Sequence, residues 1–280
     1  GAIKLALKAT GKHKIIAFEQ SFHGRTFATM SATGQDKIKQ GFGPMLEKFV
    51  YVPYNDLESL KQEMDGETAA VILEVVQGEG GVFPAEKEFV KGVEQLCREY
   101  NALLIIDEVQ TGIGRTGKRF AYQHYDIKPD IITSAKGLGS GFPIGAVIGA
   151  KKLKEHFGPG SHGSTFGGNP LAVAAATATM QIIFDDYFLD DVGKKGEFLK
   201  TKLEEGLKEA GAVKDIRGLG LMIGIELELP IQEVLANLRE EGLLALSAGT
   251  NVLRLLPPLT VTYEELEEGI NKMIKVINRS

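Results

Sequence analysis

The sequence predicts an α/β fold in which a mostly parallel sheet is sandwiched by helices, followed by a small α+β domain. Two observations predict it. Through the first two-thirds of the 280 residues, short β-branched runs alternate with segments of helical periodicity, a pattern typical of parallel sheets covered by helices. After Asp185-Asp186 the pattern changes to charged amphipathic helices between short strands. We therefore place a large domain at 1–184 and a small C-terminal domain at 185–280.

The predicted elements of the large domain begin with a cationic amphipathic helix at the start of the chain. Apolar, β-branched runs then predict strands near 14–19, 48–52, 69–76, 102–107, 130–134 and 143–149. Segments with a helical spacing of apolar residues lie near 56–65, 86–100 and 151–157. Asn169-Pro170 starts a small-residue helix that runs to about Phe184, and its alanines permit close packing.

In the small domain the same criteria predict three helices and four strands. The helices lie at 189–209, at 231–241 and at the end of the chain, and the strands lie at 212–217, 221–228, 243–247 and 252–256.

The composition narrows the class of partner. A chain of 280 residues with 43% hydrophobic residues can bury one large core, or a large core and a small one. Its net charge of -5 argues against nucleic acid, and its longest apolar runs are too short to span a bilayer. Because Cys97 is the single cysteine, no disulfide framework exists, and a cytoplasmic location fits best. We expect neither a nucleic acid nor a membrane as a partner.

Lys136 and Asp107 stand where two buried strands end. The run 130–135 leads into Lys136, which opens a glycine-rich stretch, and the apolar run 102–106 delivers Asp107. A lysine amine suits imine chemistry with an aldehyde, and a carboxylate against a pyridine nitrogen keeps that nitrogen protonated. Such a contact near 4 Å contributes on the order of 4 kcal/mol at an intermediate dielectric. The pairing predicts pyridoxal 5'-phosphate as the cofactor, with Lys136 and Asp107 as catalytic residues.

Each of these residues taken singly has a plainer interpretation. An isolated Asp107 most often caps a turn, and an isolated Lys136 is most often a solvated loop residue. Glycines at 137, 139 and 141 give the backbone after Lys136 a freedom that an idle loop does not need. The pair and the glycines together favour the cofactor site.

Residues 112–118 also spell most of a P-loop and a dinucleotide-binding fingerprint. A P-loop joins a strand directly to a helix and ends in Ser or Thr, whereas Arg119 fills that place here. A dinucleotide fingerprint must open a helix directly after its strand, and no helical pattern follows. Neither an ATPase nor a dinucleotide-binding enzyme is therefore favoured.

Further candidate site residues lie in loops. Phe22 either stacks on a cofactor ring or belongs to the core, and Gln110 can hydrogen-bond the ring hydroxyl. Arg25 presents a guanidinium fork from a glycine turn, which suits a carboxylate. Residues 163–170 offer hydroxyls and free amides at the start of a helix, which suits either a phosphate or a helix cap. The five histidines lack ligand spacing, so no metal site is predicted.

Six motifs occur in an order that resembles the class III aminotransferases of fold type I, and the match covers the whole chain. The motifs are Ser21 to Thr26, Glu74 to Gly81, Asp107 to Gly112, Lys136 to Leu138, Gly163 to Pro170 and Arg254 to Leu259. The resemblance implies the fold type I large domain and the cofactor pyridoxal 5'-phosphate.

The resemblance also implies how the cofactor is held. Phe22 stacks on the pyridoxal ring, and Glu74 and Gln110 contact the ring substituents. Asp107 pairs with the ring nitrogen, and Lys136 binds the aldehyde.

Substrate contacts and assembly follow from the same resemblance. Arg25 binds the α-carboxylate of the amino donor, Arg254 binds that of 2-oxoglutarate, and Glu79 pairs with Arg254 while the donor occupies the site. Family members are homodimers with shared active sites, and Thr165, with Ser164 beside it, reaches the phosphate of the neighbouring subunit's cofactor.

The double glycine after Glu79 and the stretches 120–127 and 247–254 are similar to members that act on N-acetylornithine. This implies transfer of the terminal amino group to 2-oxoglutarate, giving N-acetylglutamate semialdehyde and glutamate, a step of arginine biosynthesis. Ornithine or another ω-amino acid is the alternative donor. The family's N-terminal segment and phosphate-cradling loop precede a helix that resembles residues 1–10, and this chain starts after them. A truncated fragment that only dimerises or binds cofactor is therefore a second alternative.

Overall fold

The computed structural model describes residues 1–279. The strands are β1 Lys14–Phe18, β2 Phe49–Val52, β3 Thr68–Leu73, β4 Val76–Gln77, β5 Phe83–Pro84, β6 Leu103–Asp107, β7 Ile131–Ser134, β8 Ala146–Gly149, β9 Val213–Leu219, β10 Met222–Leu227, β11 Leu246–Ala248 and β12 Val252–Leu255. The α-helices are α1 Ala2–Thr10, α2 Phe27–Ala32, α3 Asp36–Lys39, α4 Leu57–Glu63, α5 Lys87–Glu99, α6 Pro170–Ile183, α7 Asp186–Gly206, α8 Ile231–Glu240 and α9 Tyr263–Ile277. Three 3-10 helices lie at Ala121–His124, Lys136–Gly139 and Lys151–His156.

A six-stranded sheet in the order β2-β1-β3-β6-β7-β8 forms the centre of the large domain. Its first five strands are parallel, and β8 pairs antiparallel with β7. The strands read as nearly continuous apolar runs because helices cover both faces. Side chains of one face pack with α4 and α5, and those of the other face pack with α1. The predicted mostly parallel α/β fold is confirmed.

The second sheet is antiparallel, in the order β11-β12-β10-β9, and carries its own apolar core with α7, α8 and α9. Two of these helices, α7 and α9, start at residues whose side chains cap them. Asp185 accepts a hydrogen bond from the backbone of Phe188 at the start of α7, and Thr262 and Glu265 form a capping box at α9. The separate cores support the predicted boundary near residue 185, which stays a prediction.

Several predicted elements differ from the observed ones. The predicted strand 69–76 stops at Leu73, because Glu74 turns towards the loop after β1, and β4 joins a separate hairpin with β5. The predicted helix at 151–157 is a 3-10 helix, and the strand expected at 243–247 is β11 at Leu246–Ala248. Helices α2 and α3 have six and four residues, too few for a clear periodicity, so the sequence pattern missed them. Within residues 1–279, no helix is long and apolar enough to cross a membrane.

Candidate active site

The predicted cofactor residues lie at the carboxyl ends of four adjacent parallel strands. The loop after β1 carries Phe22, Glu74 follows β3 directly, Asp107 ends β6, and Lys136 lies two residues beyond β7. In open α/β sheets, the carboxyl ends of the strands are where ligands bind. The parallel sheet therefore brings together residues that lie more than a hundred positions apart in the chain.

Asp107 is held by three hydrogen bonds. Thr133 Oγ1 donates to Oδ1 at 2.9 Å from the facing position of β7, and the backbone of Val109 donates to the same oxygen at 3.1 Å. His23 Nδ1 contacts Oδ2 at 2.8 Å. Because the carboxylate is only 6% exposed, these partners fix its orientation at the end of β6.

His23 is a site residue that the sequence analysis missed. Its ring is buried and lies against Asp107. Burial disfavours the imidazolium, but the hydrogen bond and charge of Asp107, with the charge of Glu74, outweigh it and raise the pKa of His23. The sequence signal for His23 is its position between Phe22 and Arg25, and the absence of metal-ligand spacing does not bear on that signal. His23 therefore orients the Asp107 carboxylate, and the raised pKa favours the protonated form of its ring.

Glu74 lies directly after β3, beside the loop that carries Phe22. Its carboxylate accepts a hydrogen bond from the backbone of Phe22 at 2.9 Å, and its carbonyl accepts one from the Tyr54 hydroxyl at 2.7 Å. Burial raises the pKa of Glu74 to about 7, against the lowering effect of the charge on His23.

This pKa predicts a pH-dependent stability. A carboxyl whose pKa is raised on folding contributes stability that is present below the unfolded pKa of 4.5 and is lost as pH rises through about 7. Glu74→Gln keeps an acceptor for Phe22 without a titrating proton. Between pH 5 and 8 the free energy of unfolding of the wild type should fall relative to this variant by on the order of 3 kcal/mol. Urea titrations at several pH values measure it, with the exposed Glu58→Gln as control. Parallel curves for wild type and Glu74→Gln would contradict the assignment.

Lys136 opens the 3-10 helix after β7 with a positive φ of 43°. A residue with a β-carbon pays about 1–2 kcal/mol for this conformation, and such strain is found mainly at functional sites. Lys136 lines a cavity of about 750 Å³, together with Glu79, Gln110 and Arg254. Burial lowers the pKa of Lys136, and Arg254 lowers it further, although nearby carboxylates oppose both. A lowered pKa favours the neutral amine, which is the nucleophile.

Arg254 and Glu79 form an ion pair that lines this cavity. Arg254 Nη1 donates to Glu79 Oε1 at 2.8 Å and to the carbonyl of Gly78 at 3.0 Å. Burial opposes ionisation of Glu79, but Arg254, Gln110 and Lys136 outweigh it and lower the pKa of Glu79. Arg254 is 6% exposed, and its Nε has no hydrogen-bond partner within the described residues. A buried guanidinium with a spare donor suits a substrate carboxylate.

Gln110 contacts both Glu79 and Arg254, and its expected contact with the ring hydroxyl stays a prediction. Its side-chain amide donates to Glu79 Oε1 at 2.9 Å, and its oxygen accepts from Arg254 Nη1 at 3.3 Å. Gln110 thus bridges both members of the ion pair, a contact that its spacing from Asp107 does not reveal.

Three predicted residues lie apart from this cluster. Arg25 is exposed, with its guanidinium carbon 5.8 Å from the centroid of the Phe22 ring. Ser164 and Thr165 are exposed in the loop before α6 and do not line the cavity.

The residues that are present fit pyridoxal 5'-phosphate. An oriented buried carboxylate matches the pyridine nitrogen, and an amine with a lowered pKa matches the aldehyde. Between residues 1 and 279, no group of three or more side chains is arranged to hold a metal ion.

Comparisons with known proteins agree with this chemistry. The family model described as aminotransferase class-III matches residues 1–277. The acetylornithine aminotransferase of Bacillus subtilis (strain 168) is 62% identical over 278 residues, which cover 99% of this chain and 72% of that protein. The protein of the same name from Listeria monocytogenes serovar 1/2a is 55% identical over 276 residues, with coverage of 99% and 72%.

Solved structures share the fold. The ornithine aminotransferase of Toxoplasma gondii ME49 superposes with a TM-score of 0.95 at 34% identity, over 99% of this chain and 69% of that one. The N-acetylornithine aminotransferase of Stenotrophomonas maltophilia K279a superposes with a TM-score of 0.83 at 36% identity, over 99% and 70%. The family match along the chain and these relatives place the protein among the class III aminotransferases.

Proposed function

We propose that the chain is a pyridoxal 5'-phosphate-dependent aminotransferase that moves the terminal amino group of N-acetylornithine to 2-oxoglutarate. The observation that carries the proposal is the arrangement of Asp107 and Lys136 at the ends of adjacent strands, with the Glu79–Arg254 pair lining the same cavity as Lys136. The names of relatives with 54–62% identity support N-acetylornithine as the donor. The products are then N-acetylglutamate semialdehyde and glutamate, a step of arginine biosynthesis.

When bound, pyridoxal 5'-phosphate supplies an electron sink for the carbon that carries the amino group. Asp107 would keep the ring nitrogen protonated, and His23 and Thr133 hold the Asp107 carboxylate in place. Phe22 and Glu74, joined by a hydrogen bond, form the side of the site next to β1 and β3. Lys136 Nζ would hold the cofactor through its aldehyde, and as a free amine it would move a proton from the carbon that carries the amino group to the aldehyde carbon of the cofactor.

The two substrates are distinguished by their carboxylates. Arg25 binds the α-carboxylate of N-acetylornithine, and Arg254 binds the α-carboxylate of 2-oxoglutarate. In this structure Glu79 is paired with Arg254, so Arg254 is not free to bind a substrate carboxylate. This state suits a donor that presents its terminal amino group. Movement of Glu79 away from Arg254 admits the dicarboxylate acceptor.

An assay with separate donors tests the proposal. The protein, supplied with pyridoxal 5'-phosphate and 2-oxoglutarate, should form glutamate faster from N-acetylornithine than from ornithine, measured by coupled glutamate detection. Faster turnover of ornithine would move the assignment to ornithine aminotransferase, the name of the Toxoplasma relative. No glutamate from either donor would contradict both.

We further propose a cytoplasmic homodimer with shared active sites. The loop and helix around Thr165 expose large apolar side chains, with Phe166 80% and Leu171 71% exposed. Exposed apolar clusters of this kind mark protein interfaces. The single, free and buried Cys97 fits a reducing compartment.

Mixed dimers test whether Thr165 serves the other subunit's site. A dimer of one Thr165→Ala chain and one Lys136→Ala chain would contain one site with both changes and one with neither. Random mixing of the two defective parents should therefore return about one quarter of wild-type activity, since half of the dimers are mixed. Activity after mixing, with the mixed dimer quantified by native mass spectrometry, measures this. Mixed dimers without activity would place Thr165 in its own subunit's site or outside it.

A further inference from the structure

The loop that carries Glu79 is tied to the four-stranded sheet by its backbone. We call residues 78–81, between β4 and β5, the Glu79 loop. The carbonyl of Gly78 accepts from Arg254 Nη1 at 3.0 Å, and that of Glu79 accepts from the backbone of Gly249 at 2.8 Å. The carbonyl of Gly81 accepts from Arg217 Nη2 at 2.8 Å and from Nε at 3.1 Å. Three carbonyls of the loop are thus bonded by donors of the small domain.

Arg217, on β9, is itself held rigidly. Its Nη1 donates to Glu226 at 2.6 Å and to Asp215 at 2.9 Å, and its side chain is only 12% exposed. The guanidinium carbon lies 3.8 Å from the centroid of the ring of Phe83, the first residue of β5 after the loop. The planar guanidinium donates from both Nε and Nη2 to the carbonyl of Gly81, a geometry that a lysine cannot reproduce.

We propose that Arg217 is a positioning residue that fixes the backbone of the Glu79 loop to the sheet bearing Arg254, and so sets how readily the Glu79 side chain leaves Arg254. The proposal rests on the proposed function, because it assigns a task to that exchange. With the loop backbone fixed to the sheet that carries Arg254 on β12, only the side chain of Glu79 has to move. We call the two hydrogen bonds from Arg217 to the carbonyl of Gly81 the clamp. Without the clamp, the loop backbone also moves, and Glu79 pairs with Arg254 less completely.

Two substitutions and a matched control separate this task from a general stabilising one. Arg217→Ala removes the clamp, and Arg217→Lys keeps a charge beside Glu226 but loses the fork and the stacking. Lys214→Ala is the control, because Lys214 Nζ pairs with the same Glu226 at 3.1 Å and, among the described residues, forms no hydrogen bond or ion pair with the Glu79 loop.

Hydrogen exchange and single-turnover kinetics provide two independent readouts. In Arg217→Ala, amides of 76–84 and 246–251 should exchange faster than in wild type and in Lys214→Ala. The ratio of the N-acetylornithine rate to the glutamate rate, each measured as a single half-reaction, should fall by about tenfold. Arg217→Lys should lie between these, and Lys214→Ala should match the wild type.

The outcomes distinguish failure of this proposal from failure of the proposed function. Unchanged exchange in Arg217→Ala would show that the loop is not clamped, and faster exchange with an unchanged rate ratio would show a clamp without influence on Glu79. Either result overturns the proposal. If the wild type fails to react with N-acetylornithine, the proposed donor is wrong, while the exchange comparison still decides whether Arg217 holds the loop.

Discussion

Lys136→Ala should abolish transamination. The change removes both the amine that binds the cofactor and the group that moves the proton, so the loss should far exceed the roughly 10²–10⁴-fold contribution of one general base. Alanine keeps a β-carbon at φ 43°, so the backbone strain is unchanged and the fold should remain intact. Multiple-turnover assays, with circular dichroism as the check on folding, measure the effect.

The exposed Lys151→Ala is the matched control and should retain wild-type activity. Residual activity of Lys136→Ala within tenfold of the wild type would remove this lysine from the catalytic site.

Glu79→Gln should relax the discrimination between donors. The substitution leaves Arg254, which is 6% exposed, without its charged partner, so Arg254 accepts the α-carboxylate of an α-amino donor more readily. A hydrogen bond between charged groups contributes about 1.5–3 kcal/mol, and the Glu79 side chain is 35% exposed, which screens the pair in part. The ratio of the N-acetylornithine to the glutamate half-reaction should therefore fall by about ten- to a hundredfold. The N-acetylornithine half-reaction itself should slow.

Separate single-turnover measurements of the two half-reactions check this result. The exposed Glu86→Gln, at the N-terminus of α5, controls for loss of a carboxylate near the same hairpin. Equal effects of Glu79→Gln on both half-reactions, or no effect, would leave Glu79 as an ordinary loop carboxylate.

The sequence could predict the sheet and the two residues at its strand ends. Strands β6 and β7 are buried on both faces and read as apolar runs, so Asp107 and Lys136 stand out where those runs stop. The Glu79–Arg254 contact was anticipated only through the family resemblance, and the structure places these side chains 2.8 Å apart.

Contacts between distant segments could not be read from local patterns. His23 and Asp107 lie 84 positions apart, and Arg217 and Gly81 lie 136 positions apart. The hydrogen bond from Thr133 to Asp107 depends on the register between β6 and β7, which no single strand specifies. The expected strand 69–76 is too long, because the buried carboxylate of Glu74 is unfavourable in a strand interior and marks the end of β3.

The most direct test of the central assignment is covalent labelling with pyridoxal 5'-phosphate. The protein, incubated with the cofactor and reduced with borohydride, should give one major modified peptide in mass spectrometry, carrying the pyridoxyl group on Lys136. Asp107→Ala should weaken cofactor retention before reduction without redirecting the label. Modification spread over other lysines, with Lys136 unmodified, would contradict the proposed active site.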